Sequence, residues 1–537
     1  MDATLARHFP GIPGLRDRQR EAIARVAAGE SLAYVAPTGS GKSLVYQVAG
    51  VMRGGLTVVL SPLKALIAQQ VERLRAAGLH ATELHSGQGG TRQYELLKCI
   101  GDGTVAESFL FLSPERAFAD GMVEHVLRAR RAAIGLVVVD EAHCVSHWGH
   151  TFRPSYKAIP DFLNRVSGTG PRPPVLCLTA TLAPRDRAEI ARDFAIPAGG
   201  LLESATLLRT NLELTAETHR DEPAKLARLA EILRGDPGSK TIVYTHRKAS
   251  QWGTRAMSAT FAAEGIRCDY FDADREERDK RRVAAEFEGG DLRVVFATSA
   301  FGMGIDIPDV RRVIHYLIPE SAEQYYQEVG RAGRDGLPAA GILLFSPVNI
   351  KVRHQQITES RPTAETIHRV LAQCDPTAEP RSYPAYESMP DDSAELRAFH
   401  ALVREDVIRL CSRGVGTVTA FAARRRGDDL DGILTASRTG LSTATATKLG
   451  IGLDELRDRL FAHYLAGRAK LASAPGKSLF LATGRDLDTA LETALCHEFD
   501  AAMRHRLAAF ERFTDATAAG EPMREIVRRE LGIEDAP

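Results

Sequence analysis

The chain has no pair of cysteines spaced C-x-x-C. Its seven cysteines (99, 144, 177, 268, 374, 411 and 496) are scattered over 537 residues, so no zinc-ligand spacing is present. An odd, dispersed set also supplies no disulfide framework and fits a reducing cytoplasm. Neither sign of charge is in excess, with 69 Lys and Arg against 69 Asp and Glu. No overall field steers the molecule to nucleic acid, and any such contact needs a locally basic groove. No run approaches the ~18 apolar residues that read as a membrane span. The start, Met1-Asp-Ala-Thr-Leu-Ala-Arg-His-Phe-Pro10, holds no apolar core of signal-peptide length. Tryptophan is nearly absent, at two residues. The tail shows neither an internal repeat nor a low-complexity tract. What remains is an ordinary globular composition, 44% hydrophobic and 26% charged, long enough for about three or four domains.

Against that background one octapeptide stands out, Ala36-Pro-Thr-Gly-Ser-Gly-Lys-Ser43. Gly39 and Gly41 let the backbone curl so that the N–H groups of Thr38 to Ser43, Ser40 among them, point at a triphosphate. Lys42 reaches the β- and γ-phosphates, and the Ser43 hydroxyl ligates Mg²⁺. Roughly a hundred residues on, the apolar run Leu136-Val-Val-Val139 reads as a buried parallel strand ending in Asp140-Glu-Ala-His143. It delivers Asp140 to the metal's outer sphere and Glu141 to the attacking water. The pairing of the two motifs predicts a nucleotide hydrolase using ATP and Mg²⁺.

Two successive α/β patterns carry these motifs. Short β-branched runs at Ser31–Val35, Thr57–Leu60, Phe109–Leu112, Leu136–Val139 and Val175–Leu178 alternate with helical Ala/Arg/Leu-rich segments. The pattern restarts near Arg209, with Thr241–Tyr244, Arg267–Tyr270, Val294–Ala297, Val313–Tyr316 and Gly341–Phe345. Each predicts a parallel sheet covered by helices on both faces. The division expected is 1–207, 208–348, a connector over 349–392 and a mainly helical region over 393–537. Within the last, an amphipathic helix at Leu453–Ala466 precedes Arg468–Ala472, a turn at Ala474-Pro-Gly-Lys477 and Ser478–Ala482. A helix followed by a hairpin predicts a winged helix around 430–483.

The second pattern ends on Gln327-Glu-Val-Gly-Arg-Ala-Gly-Arg-Asp-Gly336. Arg331 and Arg334 present fixed positive charges from a close-packed Gly loop. An arginine delivered from a second domain to the γ-phosphate accelerates hydrolysis by orders of magnitude.

From about Leu15 to Gly336 the chain resembles the RecQ family of superfamily 2 DNA helicases. Leu15-Arg-Asp-Arg-Gln-Arg-Glu-Ala-Ile23 is similar to the family's adenine-recognising motif, with Gln19 as reader and Arg16 beside it. Ser61-Pro-Leu-Lys-Ala-Leu-Ile-Ala-Gln69, holding Ser61 and Lys64, and Ser113-Pro-Glu-Arg116 resemble the loops that grip the DNA backbone. The most specific likeness is Asp140-Glu-Ala-His-Cys-Val-Ser-His-Trp-Gly-His-Thr-Phe-Arg-Pro-Ser-Tyr156, the aromatic-rich loop that couples strand binding to hydrolysis. Leu178-Thr-Ala-Thr181, Ala297-Thr-Ser-Ala-Phe-Gly-Met-Gly-Ile-Asp306 and the Gln327 run complete the set in order.

The resemblance implies two tandem RecA-like domains followed by a helical region. It also implies ATP-dependent, 3′-to-5′ tracking on single-stranded DNA with unwinding of tailed duplex. Trp148 and Phe152 would stack on bases, each worth about 1–3 kcal/mol without sequence demand. Arg153, Thr179, Thr181 and Thr298 would couple or contact DNA, and His143 would bridge to the second domain. Gln327 joins the nucleotide-binding set.

Three departures stand out. Ile12 occupies the place of an aromatic that stacks on adenine, and His147 replaces a glutamine of the aromatic loop. Tyr270-Phe-Asp-Ala-Asp274 adds two negative charges towards the surface expected to meet DNA. The family's four-cysteine zinc module is missing, so zinc is not expected, and the altered tail is a candidate surface for protein partners. Two rivals share the ATPase motifs: an Asp-Glu-Ala-His RNA helicase, which lacks the His147-Trp-Gly-His150 extension, and a DNA-stimulated ATPase that remodels a protein–DNA complex.

Overall fold

The computed structural model describes every residue outside 13, 17, 38, 63, 85–89, 104–107, 118–120, 146–153, 181, 183, 205–206, 249, 273, 302–306, 373–393, 406, 421–442, 467–468, 483–485 and 534–537. The apolar runs become strands, largely buried except at the β7 edge: β1 (Leu32–Val35), β2 (Leu56–Leu60), β3 (Ala81–Leu84), β4 (Phe109–Leu112), β5 (Ile134–Val139), β6 (Val175–Thr179) and β7 (Leu201–Glu203). They pair in parallel in the order β3-β4-β2-β5-β6-β1-β7. The two edge strands were not legible, because Ala-Thr-Glu-Leu carries a glutamate and β7 has three residues.

The second sheet holds β8 (Leu212–Thr218), β9 (Lys240–Tyr244), β10 (Cys268–Phe271), β11 (Val294–Ala297), β12 (Val310–His315) and β13 (Ala339–Phe345). Its order is β10-β11-β9-β12-β13-β8, again parallel throughout. In both sheets the motifs leave the carboxyl ends of the strands, where open α/β sheets place their ligands.

The region after Phe345 departs from expectation. The connector is helical in its first part, at Pro347–Glu359 and Ala364–Ala372. Nor is the tail a separate helical unit. Leu456, Leu460 and Phe461, from the helix Leu453–Leu465, are buried in the core of the first sheet domain. Asp458 of the same helix accepts from Arg128 at 2.8 Å, and Tyr464 meets Tyr94 edge-on at 6.0 Å. Phe510 and Phe513 of the 30-residue helix Thr489–Ala518, with Ile526 and Val527 of Met523–Glu530, enter the core of the second domain. Arg506 anchors that junction, donating to Glu320 and to Ser360 at 2.7 Å each. The start of the long helix packs on Ile367, Val370, Phe399 and Leu402 in a small bundle between the two attachments.

The hairpin expected at 468–482 takes another form. Both of its arms lie in one strand, β15 (Ala469–Ala482), antiparallel to β14 (Ile408–Ala420). Arg413 pairs with Ser478 and Val415 with Ser473, which leaves 474–477 as a bulge. Pro475 lacks a ladder N–H and Gly476 bends freely, so these turn formers swell one strand instead of reversing it. Residues 421–442, and with them the start of the segment expected to form a winged helix, lie outside the described residues.

Candidate nucleotide and DNA site

Leaving β1, the chain enters the phosphate loop through Gly39 (φ 79°) and Gly41 (φ 86°), both in the left-handed region that glycine adopts without strain. Gly41 then N-caps the helix Lys42–Arg53. Loop amides and a helix N-terminus thus converge on one concavity, the arrangement that binds phosphate. Lys42 Nζ donates to the carbonyls of Ala36 (2.9 Å) and Pro37 (3.3 Å), which stretches it along its own loop. Burial pushes the Lys42 pKa down, Glu141 and Asp140 pull it back up, and Arg334 adds to the fall.

Gln19 is buried and crosses this loop from the side. Its amide donates to Ser40 O (2.9 Å) and Gly41 O (3.2 Å), while its oxygen accepts from the Arg16 N–H (2.7 Å). Arg16 Nη1 reaches Gly39 O at 3.2 Å. The pair expected to read adenine therefore also shapes the phosphate loop. A shallow cleft beside it, about 480 Å³, is lined by Leu15, Arg16, Arg18, Arg20, Glu21 and Ala24 and contains no aromatic ring; Ile12 is exposed.

Asp140 and Glu141 follow β5 directly. Burial, with Glu141 alongside, raises the Asp140 carboxyl above the ordinary carboxylate range, and Lys42 and a hydrogen bond from Ser61 Oγ (3.1 Å) act against it. Ser61, read as a DNA-backbone residue, is buried against this acid instead. Glu141 holds φ 51°, unusual for a non-glycine residue and costing about 1–3 kcal/mol, a form of strain that clusters at functional sites. Two acids on one buried edge repel, and a divalent cation relieves them. The hard oxygen donors Asp140 and Ser43, beside a phosphate cradle, fit Mg²⁺.

His143 makes its link within the first domain, where a bridge to the second was expected. Its Nδ1 lies 2.9 Å from Thr179 Oγ1 and 3.4 Å from Glu141 Oε2. Thr179, at the end of β6, thereby joins the acid pair. Tyr156 was not assigned a role in the sequence, yet its hydroxyl donates to Asp140 O at 2.8 Å. It closes the quoted aromatic-loop run, and the loop's return to the acid pair was the available signal.

The second domain reaches over the phosphate loop. A Cβ added to Gly39 would lie 3.9 Å from Arg334 Cγ, so the arginine stem packs on the loop. Gln327, half-buried, is on the helix Ala322–Val329 that leads to Arg331 and Arg334. Gly333 (φ 57°) sets their spacing. A methyl there would meet Asn211 Nδ2 at 2.7 Å, Leu337 O at 2.8 Å and Ala339 Cβ at 2.9 Å. Gly333→Ala is expected to displace Arg334 and lower ATP turnover about 100-fold. Steady-state ATPase with circular dichroism of the variant checks it, and unchanged turnover refutes it.

Of the residues expected to contact DNA, Thr298 is half-buried after β11, its N–H donating to Phe271 O at 3.2 Å. Lys64 opens the helix Lys64–Ala76. Its side chain, with Thr38, His147, Trp148, Phe152, Arg153 and Thr181, lies outside the described residues. The two extra acids after β10 are compensated. Asp272 is buried and accepts from Arg255 Nε at 2.9 Å, while Asp274 pairs with Lys248 (2.7 Å) and Arg255 (3.3 Å). One carboxylate is thereby withdrawn from the surface and the other neutralised.

Residues 16–190 match the DEAD/DEAH box helicase family, and 224–336 the helicase conserved C-terminal domain. The Bacillus subtilis protein named probable ATP-dependent DNA helicase RecS is 32% identical over 372 residues, 69% of this chain and 72% of its own length. The chain belongs to the RecQ-like helicases. Bacillus subtilis RecQ is 35% identical over 66% of this chain, and Caenorhabditis elegans blm-1 is 35% identical over 63%. The alignments span 58% and 34% of those two proteins. Among solved structures, Mss116p bound to single-stranded RNA and AMP-PNP superposes with TM-score 0.54 at 14% identity, covering 75% of this chain and 85% of that one. MrfA bound to DNA gives 0.52 at 19% identity, covering 76% and 60%. At such identities the two superpositions show the shared fold. No helix among the described residues of this RecQ-like chain is long and apolar enough to cross a membrane.

Proposed function

We propose that the chain is an ATP-dependent DNA helicase that moves 3′ to 5′ on single-stranded DNA and separates tailed duplex. The observation that carries this reading is the stem of Arg334, from the second sheet, packed over Gly39 of the first, in the site that holds Lys42, Asp140 and Glu141. Hydrolysis that needs both domains is hydrolysis that moves them relative to each other.

In this reading Thr38 to Ser43, Arg16, Gln19 and Gln327 bind the nucleotide. Ser43 and Asp140 would hold Mg²⁺, which would supply charge neutralisation at the phosphates. Glu141 orients the attacking water, and Arg334, with Arg331, stabilises charge developing on the γ-phosphoryl group. Lys64, Trp148, Phe152, Arg153, Thr181 and Thr298 meet the strand. Thr179, through His143, connects it to Glu141 across 2.9 and 3.4 Å. DNA as the polymer follows the printed names of the relatives.

Unwinding of a fluorescent duplex with a 3′ single-stranded tail tests the proposal. Strand separation that requires ATP and the tail supports it; hydrolysis stimulated by DNA without separation overturns unwinding. That second result would favour a translocase that displaces DNA-bound protein. One feature favours that reading: 469–482 forms a strand paired with β14 where a free hairpin was expected. Trp148→Ala is expected to lower DNA-stimulated turnover about 10-fold while leaving basal turnover within about twofold, since loss of one stacked base contact costs about 1–3 kcal/mol. Equal loss in both rates would make Trp148 a packing residue.

A further inference from the structure

Near Arg331 the second sheet buries a group of rings to which the mechanism above gives no role. Tyr244 ends β9 and His315 ends β12, paired in register; His246 follows two residues after Tyr244. The Tyr244 ring stacks on His246 (5.5 Å, 15°) and on His315 (5.3 Å, 20°). Glu328 pins both histidines. Its Oε2 accepts from His315 Nε2 at 2.6 Å and lies 3.2 Å from His246 Nε2, while Gln324 Nε2 donates to Oε1 at 3.1 Å. His246 takes φ 51° to enter this stack, a conformation that side chains rarely adopt.

The same group reaches the arginine by two routes. Glu328 stands three residues before Arg331, whose N–H donates to Glu328 O at 3.3 Å. The buried Tyr244 hydroxyl lies beside Arg331, which counters the rise that burial imposes on its pKa. Tyr244 Oη and Arg331 Nε are both buried without a well-aligned hydrogen bond. Two neighbouring polar groups are therefore buried together, each with bonding capacity left over.

His246, His315 and Glu328 bring three donor atoms within 4.8 Å of one another, a spacing that a metal ion also accepts. The charges around them argue otherwise. Buried Arg353 already senses Glu328, with Arg247 close by, and Arg331 adjoins Tyr244. A dication would add to that positive charge, so one carboxylate shared by two imidazoles is the better occupancy.

We propose that Tyr244 is a positioning residue. Clamped between His246 and His315, which Glu328 holds in place, it orients the Arg331 guanidinium towards the nucleotide. The inference rests on the hydrolytic reading above.

The test is Tyr244→Phe in the full chain, which removes one oxygen and keeps the stack. With saturating single-stranded DNA, kcat is expected to fall about 10-fold, with the KM for ATP and the melting midpoint unchanged. The double variant Tyr244→Phe/Arg331→Ala is expected to be no slower than Arg331→Ala, because the tyrosine acts through the arginine. Wild-type kcat in Tyr244→Phe, or losses that multiply in the double variant, overturn the proposal. So does a loss shared by kcat, KM and melting midpoint, the signature of packing. One metal ion per purified chain, lost in His246→Ala, overturns the hydrogen-bonded network. A wild-type chain that fails to hydrolyse ATP overturns both this inference and the hydrolytic reading, whereas wild-type turnover with an undiminished Tyr244→Phe overturns the inference alone.

Discussion

Lys42→Ala is expected to abolish ATP hydrolysis while single-stranded DNA still binds. The ammonium already lies along the loop, bonded to the Ala36 and Pro37 carbonyls, and needs little reorganisation to meet a phosphate. Preorganised charge of this kind is worth about 3–4 kcal/mol in the transition state, a loss of about 10²–10³-fold in kcat. The substitution also removes the positive charge that opposes the rise in the Asp140 pKa, so the acid pair that faces the cation becomes harder to ionise. DNA affinity draws on other residues and is expected to stay within about threefold, since no phosphate contact to DNA is lost. A phosphate-release assay with fluorescence anisotropy on labelled single-stranded DNA checks both halves. Turnover above one tenth of wild type would remove Lys42 from the catalytic set.

Phe513→Ala is expected to destabilise the second sheet domain by about 3–5 kcal/mol, although the residue lies far along the chain from that sheet. Phe513 is fully buried in that domain's core and lies 6.1 Å, ring to ring, from Tyr325, which sits on the helix leading to Arg331. An alanine leaves a cavity under that helix, so turnover falls along with the melting midpoint. Phe513→Leu restores most of the volume and is expected to recover most of both. Differential scanning calorimetry with ATPase assays separates the outcomes. A stable, active Phe513→Ala would mean the tail helix is only laid on the surface.

The two sheets were legible because most of their strands are continuous apolar runs, and burial on both faces demands such runs. The acid pair was legible because it ends one of them. Other features depend on contacts between residues far apart in the chain. Ser61 reaches Asp140 across 79 positions, and Asp272 is withdrawn by Arg255, a residue on another element. Neither partnership leaves a local pattern. The tail misled for a different reason: Leu456, Leu460 and Phe461 have the same helical spacing whether they face a winged helix or the back of a motor domain. The turn formers at 474–477 were read as a reversal, but a bulge and a reversal use the same residues.

The tail helix Leu453–Leu465 is rooted in one half of the motor and the end of Thr489–Ala518 in the other. Any working stroke that separates or rotates the two sheets must therefore appear as a change of distance within the tail. Arg459, half-exposed, and Arg512, exposed, lie on these two helices. A donor and an acceptor dye placed there would follow each nucleotide cycle from the outside, leaving the catalytic cleft and the strand path unlabelled. The segment that resembles the family least is thus the part of the molecule from which the motor's motion can be read.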